Sequence, residues 1–301
     1  MSKVSAIIVN YNAGHLLNET VNSLLCSSSV TKIIVVDNGS KDSSLKYIDN
    51  LAELQSRLVC IRNSKNLGFA KACNIGIAAD GESDYLLFLN PDCVIDKDAL
   101  EKLLSCIKSS PQAGMVGPLL LNPDGTEQAG GRRAIPTPWR SFVNIFGLYK
   151  LKERYPRLFA DFLLHQQPLP DGDTEVEAVS GSCMLVRHDA LMDIGTMDEG
   201  YFMHCEDLDW CMRFRQRGWK IMFVPDARVI HQKGVCSKTR PIFVEWHKHK
   251  GMMRFYIKFF RHQYPAVLFW LVGFGVWLRF IAITVRYGLH YIRQRLTHDS
   301  L

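Results

Sequence analysis

Three apolar runs in this chain break off into short polar clusters, and that recurrence restricts the fold more than any other feature. Residues 4–9 give way to Asn10-Tyr11-Asn12, residues 32–36 to Asp37-Asn38-Gly39-Ser40, and residues 85–89 to Asn90-Pro91-Asp92. Segments with apolar residues at helical spacing lie at 15–26, 42–54, 69–79 and 98–107, and a short further strand is expected at 58–61. Continuously apolar strands alternating with amphipathic helices predict an α/β fold. Its sheet would be mostly parallel, with helices on both faces. In such sheets ligands bind beyond the carboxyl ends of the strands. One polar cluster after a strand is ordinary turn chemistry. Three on one sheet edge point to a binding site.

The rest of the chain is less uniform. Residues 119–175 are rich in proline and carry Gly130-Gly131-Arg132-Arg133. Long loops and short helices shaping an acceptor cleft are expected there. Regular patterning returns with a strand at 178–187, a short helix at 188–194 and a helix at 206–217 ended by Gly218. A strand at 220–224 follows, then Pro225 and a route to His231. Residues 243–262 mix aromatic and basic side chains, and residues 266–285 are apolar apart from Arg279. That length borders on what a spanning helix needs, about 20 residues. Near one end of the segment, Arg279 could snorkel. A spanning, re-entrant or interfacial membrane helix is the preferred reading. A greasy helix docked on the catalytic domain or on a dimer partner is the alternative. The expected division is a catalytic domain over 1–240 and a membrane-association segment over 241–301.

Charge supports this division. Residues 227–301 hold 13 Lys and Arg against 2 Asp and Glu, whereas residues 1–226 hold 23 against 28. An acidic body with a basic tail suggests that the tail meets an anionic surface. The basic stretch adjoins the apolar one and no nucleic-acid motif is present, which argues against DNA or RNA as a partner. Nine cysteines without a C-x-x-C pair fit neither a disulfide framework nor a zinc knuckle, and a reducing, cytosolic setting is expected. The apolar run at 4–9 is too short for the core of a signal peptide and reads as a strand.

Certain side chains suit specific chemistry. Asp92 would end a buried strand on the ligand edge, where a carboxylate can share a hard cation with phosphate oxygens. Glu206, Asp207 and Asp209 open a helix, where the dipole favours acids. Asp209 also has Arg213 at i,i+4 as a partner. Asp207 or Glu206 could take the proton from an attacking hydroxyl. His231, past the end of the sheet, could contact a metal or a phosphate. No G-x-G-x-x-G follows the first strand, which disfavours a dinucleotide-dependent oxidoreductase.

The motifs together resemble glycosyltransferase family 2, a group of inverting enzymes with the GT-A fold. The likeness covers residues 3–237. It rests on Ile8-Val9-Asn10-Tyr11-Asn12, Val35-Val36-Asp37-Asn38-Gly39-Ser40, Asn66-Leu67-Gly68-Phe69-Ala70, Asn74-x-Gly76 and Leu89-Asn90-Pro91-Asp92. Further along come Gly181-Ser182-Cys183-Met184-Leu185, Glu206-Asp207-Leu208-Asp209 and Pro225-Asp226-Ala227-Arg228-Val229-Ile230-His231. Within the family the pattern most resembles rhamnosyltransferases of O-antigen and cell-wall assembly.

The resemblance implies that Asn10, Tyr11 and Asn12 line the nucleotide pocket, joined by Asn90. Asp37 would bond the pyrimidine base, and Gly68 and Asn74 would lie near ribose and diphosphate. Asp92 would ligate Mg²⁺ or Mn²⁺, with His231 helping to hold metal or diphosphate. Asp207 would be the catalytic base, with Glu206 as second choice. The family's metal motif is often Asp-x-Asp. Asn90 stands at its first position here, so the site has one fewer charge. The implied reaction moves L-rhamnose from dTDP-β-L-rhamnose to a saccharide on a polyprenyl diphosphate. Its place would be the cytoplasmic face of the bacterial inner membrane. Another UDP- or dTDP-sugar as donor, or a non-catalytic membrane-bound scaffold, are the alternative readings.

Overall fold

The computed structural model describes residues 2–151, 154–155, 158–159, 162–232 and 240–298. The end of the family resemblance (233–237) and the last residues of the basic tail (299–301) lie outside the described residues.

The elements follow in chain order as β1 (Val4–Asn10), α1 (Leu16–Leu25), β2 (Val30–Asp37), α2 (Ser44–Leu54), β3 (Leu58–Arg62), α3 (Phe69–Ala78) and β4 (Tyr85–Leu89). Next come β5 (Cys93–Ile95), α4 (Ala99–Ser109), β6 (Ala113–Leu121), β7 (Arg132–Arg133), α5 (Pro138–Ile145), β8 (Thr174–Glu175) and β9 (Ala178–Val179). The chain continues through β10 (Cys183–Arg187), α6 (His188–Ile194), α7 (Glu206–Gln216), β11 (Lys220–His231), α8 (Pro241–Phe260) and α9 (Ala266–His298).

Nine strands form one sheet in the order β3-β2-β1-β4-β10-β6-β11-β5, with β8 added beside β11. The wing β3-β2-β1-β4 is parallel throughout, as its continuous apolar runs predict. Every residue of β1 and β4 is buried, so both faces of this wing are covered. The order then turns back: β10 runs antiparallel between β4 and β6, and β6 pairs β11 in parallel. The core joins Ile8, Leu17, Val35, Leu87, Leu103, Val116 and Leu185 in one apolar cluster.

Several boundaries differ from the sequence reading. The strand expected at 178–187 is two strands, because Ser180-Gly181-Ser182 turns away between β9 and β10. β11 does not stop at Val224. Its register shifts between Val224 and Arg228, which accommodates Pro225 at an irregularity, and pairing resumes with Arg228 opposite Leu119. The strand therefore delivers His231 directly opposite Cys93 of β5. β6 lies in a stretch for which no strand was expected.

By internal packing the chain divides into two compact units. One comprises Met1–Ile135, Phe162–Phe202 and Glu206–Cys236, and the other Pro136–Asp161, Met203–Cys205 and Ser237–Leu301. The second unit contains α5, α8 and α9. Thr137 caps α5 by accepting the Arg140 N–H at 3.2 Å, with Pro138 at the first helical position. α9 packs on α8 through Trp246 against Trp277 and Phe280, at centroid distances of 5.3 and 5.6 Å. Val272 and Val276 are buried, whereas Val267, Trp270, Leu271, Phe274, Leu278, Ile281, Val285 and Leu289 are exposed. Their spacing places the exposed set on one face of the helix. Ala266–Leu289, 24 residues, is long and apolar enough to cross a membrane, and is the one such segment among the described residues.

Candidate active site

The parallel wing brings the first two polar clusters together. Asn10 and Asp37 are register partners at the ends of β1 and β2. The buried Asn10 amide donates to Asp37 Oδ1 at 2.8 Å, Ser44 Oγ at 2.9 Å and Ser40 Oγ at 3.0 Å. Its two hydrogens are thus shared among three acceptors. Asp37 Oδ2 accepts the Ser40 N–H at 3.1 Å. Asn12 adopts a positive φ of 53°, which Asn tolerates, and its Oδ1 accepts the Lys41 N–H at 2.8 Å. Tyr11 is half-buried beside it. The two strand-end turns are therefore one hydrogen-bonded unit, and any ligand placed there meets a fixed surface.

Asn38 extends that unit to the third loop, a role the sequence reading did not assign. Its Nδ2 donates to Asn66 Oδ1 at 3.0 Å and to the Gly68 carbonyl at 3.1 Å. Its Oδ1 accepts from Leu67 N at 3.1 Å and Asn63 Nδ2 at 3.2 Å. Gly68 has φ of 91°, and a Cβ there would lie 2.7 Å from the Phe202 carbonyl oxygen. Only glycine fits both conditions. Asn74 is committed elsewhere: its amide donates to the Met197 carbonyl at 2.9 Å and its Oδ1 accepts the Met197 N–H at 3.0 Å. It pins the loop before α7, whereas the resemblance implied a place near the ribose and diphosphate.

Asp92 and His231 meet where the chain leaves β4 and enters β5. Asp92 precedes β5 and His231 ends β11, and the antiparallel pairing of those strands sets their separation. His231 Nε2 lies 3.2 Å from Asp92 Oδ1. His231 Nδ1 lies 2.7 Å from Gln128 Oε1. The Gln128 amide nitrogen in turn donates to Asn122 Oδ1 at 3.1 Å and to the His231 carbonyl at 3.3 Å. These two donations fix Oε1 as the atom facing the ring, so Nδ1 carries hydrogen. Nε2 then points its remaining valence at a carboxylate oxygen. Two acceptors at that distance repel, and a cation between them, proton or metal, removes the conflict.

Cys93 completes a group whose ligand atoms all lie within 4.8 Å of one another. Burial, and then the charge of Asp92, push its thiol well above the usual range. It stays protonated and is a poor ligand for a hard ion. Asn90, which follows β4, donates to Ser182 Oγ at 3.3 Å, and its N–H binds the Ser182 carbonyl at 2.9 Å. The donor set thus suits one carboxylate–imidazole-bound hard cation.

The third group stands at the start of α7. Asp207 Oδ2 accepts the Gly181 N–H at 3.0 Å and a guanidinium hydrogen from Arg133, and Oδ1 accepts the Leu208 N–H at 2.8 Å. Burial would raise this carboxyl. The charge of Arg133, then the Gly181 N–H, outweigh it and hold Asp207 below the ordinary value. Glu206 is the reverse case. Its Oε2 is buried without a hydrogen-bond partner. Burial first, and then ionised Asp207, push it up to about 8. At neutral pH this pair holds one proton, on Glu206. Asp209 is structural, as its spacing implied: it pairs with Arg213 at 2.9 Å and accepts from the Tyr201 hydroxyl at 3.1 Å. The two residues before α7, His204 and Cys205, have φ of 65° and 71°. Strain of that kind, about 1–3 kcal/mol per residue, is typical of functional turns.

A mixed sheet of this order with carboxylates along one edge has the GT-A architecture, and the protein is a glycosyltransferase. It belongs to glycosyl transferase family 2, whose model matches residues 5–195. Among curated relatives it is 28% identical over 301 residues to an N-acetylglucosaminyl-diphospho-decaprenol L-rhamnosyltransferase of Mycobacterium tuberculosis. That match covers 96% of this chain and 95% of that protein. It is 28% identical over 235 residues to rhamnosyltransferase WbbL of Escherichia coli K12, covering 76% and 83%. Of solved structures, the mannosyltransferase PcManGT of Pyrobaculum calidifontis, in complex with GDP-Man and Mn²⁺, superposes with a TM-score of 0.58. The identity is 14%, and 91% of this chain and 68% of that one are covered. GalNAc-T7 with UDP, GalNAc and Mn²⁺ gives a TM-score of 0.59 at 18% identity. It matches 77% of this chain, which spans 44% of that longer one. Asp207 and His231 lie beyond the stretch matched by the family model.

Proposed function

We propose that this enzyme transfers L-rhamnose from dTDP-β-L-rhamnose, by single displacement with inversion, to a saccharide carried on a polyprenyl diphosphate. N-acetylglucosamine is the saccharide favoured. The observation that carries the choice of sugar and acceptor is the nearly end-to-end likeness to a decaprenol-linked L-rhamnosyltransferase. The site is compatible with that chemistry. Asn10, Tyr11, Asn12, Asp37 and Gly68 would form the nucleotide surface, with Asn90 at the diphosphate end. Asn74 would act indirectly, through the loop it pins.

In the transfer step the acceptor hydroxyl attacks the anomeric carbon. Its O–H proton passes to the Asp207 carboxylate as the new C–O bond forms. The bond from the anomeric carbon to the donor diphosphate breaks, and its electron pair leaves with the nucleoside diphosphate. Asp207 suits the base role because it is ionised at neutral pH, whereas Glu206 is protonated. Asp92 and His231 would hold Mg²⁺ or Mn²⁺, which when bound neutralises charge gathering on the leaving diphosphate. Gln128 orients the imidazole, and the burial of Asp92 and His231 keeps water from competing for them.

The exposed apolar face of α9 and the basic residues of the C-terminal segment fit an anionic membrane surface at the cytoplasmic face, where a lipid-linked acceptor is held. The test is direct. Full-length protein is incubated with dTDP-β-L-rhamnose and a short-chain polyprenyl-diphosphate N-acetylglucosamine, with and without Mn²⁺. An α-L-rhamnoside is the expected product. Turnover of a UDP-sugar in place of dTDP-rhamnose would overturn the donor assignment.

A further inference from the structure

The Gly-Gly-Arg-Arg segment, read from sequence as part of a loop, separates two arginines. β7 pairs with β9, setting Arg132 opposite Val179 and Arg133 opposite Ala178. Arg132 is taken up by structure: it binds both oxygens of Glu127, at 2.8 and 3.2 Å, and the Gln167 carbonyl at 2.8 Å. Arg133 takes another direction. Its guanidinium donates to the Val179 carbonyl at 3.2 Å and forms an ion pair with Asp207 Oδ2. Both side chains of that pair are mostly buried, at 18% and 12% exposure, so solvent screens it little.

We propose that Arg133 is the positioning residue of the transfer step, clamping Oδ2 of Asp207 so that Oδ1 is the oxygen that receives the acceptor proton. This rests on Asp207 being the base. Oδ2 is occupied by Arg133 and the Gly181 N–H, while Oδ1 holds one backbone hydrogen bond, from Leu208. A carboxylate oxygen with a single donor keeps a lone pair for a proton, and one with two donors does not. Gly181 belongs to the same clamp. A Cβ at that position would stand 3.2 Å from Asp207 Cβ, so a larger residue there would press on the Asp207 side chain.

The second consequence is electrostatic. Glu206 and Cys211 face Asp207 from α7, and burial keeps both protonated, Cys211 being pushed up to about 12. Neither competes with Arg133 for the Asp207 charge at neutral pH. Arg133 supplies the positive charge that keeps a buried base ready to accept a proton.

The test is the pH dependence of kcat/KM for the acceptor, from pH 3.5 to 9, in wild type, Arg133→Gln and Arg133→Lys. The full chain is used with dTDP-β-L-rhamnose and the polyprenyl-diphosphate acceptor. In Arg133→Gln the acid limb is expected to move up by about one pH unit or more, the usual effect of a close opposite charge. The KM for the donor is expected to stay unchanged. Arg133→Lys keeps the charge but not the planar fork. Its acid limb should stay near wild type while kcat falls about tenfold at every pH.

A structural ion pair would lower the amount of folded enzyme without moving the limb. An unmoved limb in Arg133→Gln, or identical profiles for the two variants, therefore overturns the proposal. Should Arg133→Gln not fold, Arg133→Lys decides alone: undiminished kcat overturns the clamp. Asp207→Asn separates the two layers. If Asp207→Asn is inactive and the limb in Arg133→Gln is unmoved, the positioning role alone falls. If Asp207→Asn turns over at the wild-type rate, the base assignment falls and the positioning role with it.

Discussion

His231 Nε2 and Asp92 Oδ1 stand 3.2 Å apart where β11 meets β5, with the far side of the imidazole held by Gln128. The expected consequence is a metal response that depends on both sides of the ring. Asp92→Ala should lose it, leaving activity indifferent to EDTA. Gln128→Leu should weaken Mn²⁺ affinity about 10- to 100-fold, as loss of an orienting partner does elsewhere. Titration of Mn²⁺ by calorimetry measures both. A wild-type enzyme fully active in EDTA would remove the metal from the mechanism.

Asp207→Asn keeps the shape of the side chain and removes its basicity. Transfer should fall by about 10²- to 10⁴-fold, the usual contribution of a general base. Binding of dTDP-rhamnose should change little, because the proposed nucleotide surface is built from β1, β2 and the loop at Gly68. Single-turnover kinetics and equilibrium binding on the same preparation make the comparison.

Glu206 gives a prediction about stability. Its carboxyl is raised in the folded protein, so between pH 4.5 and about 8 the folded state holds a proton that the unfolded chain has released. Stability from this group is therefore greatest at low pH and declines as pH rises through that window, by about 1.4 kcal/mol per pH unit. Glu206→Gln is neutral at every pH. Its melting temperature relative to wild type should climb from pH 5 to pH 8. A constant difference across that range would show that Glu206 is not held protonated.

Gly39 and Gly68 test the turns that carry the proposed nucleotide surface. Gly39 has φ of 77°, and a Cβ there would meet the Lys65 backbone at 2.8 Å. Alanine at either position must adopt a disfavoured backbone and displace a neighbour. Each substitution should cost about 1–3 kcal/mol in chemical unfolding and weaken nucleotide binding. Gly125 also has positive φ but open space around its Cβ position, so Gly125→Ala is the control for strain alone.

The apolar stripe of α9 is expected to enter lipid. Leu278→Glu, in the middle of that stripe, should reduce binding to vesicles containing anionic lipid by about tenfold or more. Burial of one Leu side chain is worth about 1.5–3 kcal/mol. Phe280, on the face that packs against Trp246, is different: Phe280→Ala should lower the melting temperature of the helical unit instead. Equal vesicle binding by wild type and Leu278→Glu would argue that a protein surface covers the stripe.

Much of this architecture was legible because local pattern and tertiary role agreed. The buried strands β1, β2 and β4 are continuous apolar runs, and each polar cluster that follows sits at the expected edge. What was illegible depends on partners distant in sequence. Pro225 looked like a stop, yet β6 carries β11 past it through an irregularity. Gln128 and Arg133 gain meaning only when β11 brings His231 and α7 brings Asp207 beside them. Asn74 matched a family position, but its spacing could not show that its amide is spent on Met197, 123 residues away. Sequence ranked Asp207 over Glu206 only through the family resemblance, since adjacent acids look alike; the opposite protonation that burial and Arg133 impose on them was not legible.

The order of the sheet has an evolutionary consequence. Asn10 and Asp37 end strands of the parallel wing, whereas His231 ends β11, beyond the antiparallel β10, and Asp207 opens α7. On the proposed roles, a lineage could exchange the turns at Asn10 and Asp37 while keeping the carboxylate at Asp207, or the reverse. Substitutions at sites without shared partners combine nearly additively, so each change can be selected by itself. A scaffold with that separation can supply many different sugar linkages from one ancestral catalyst.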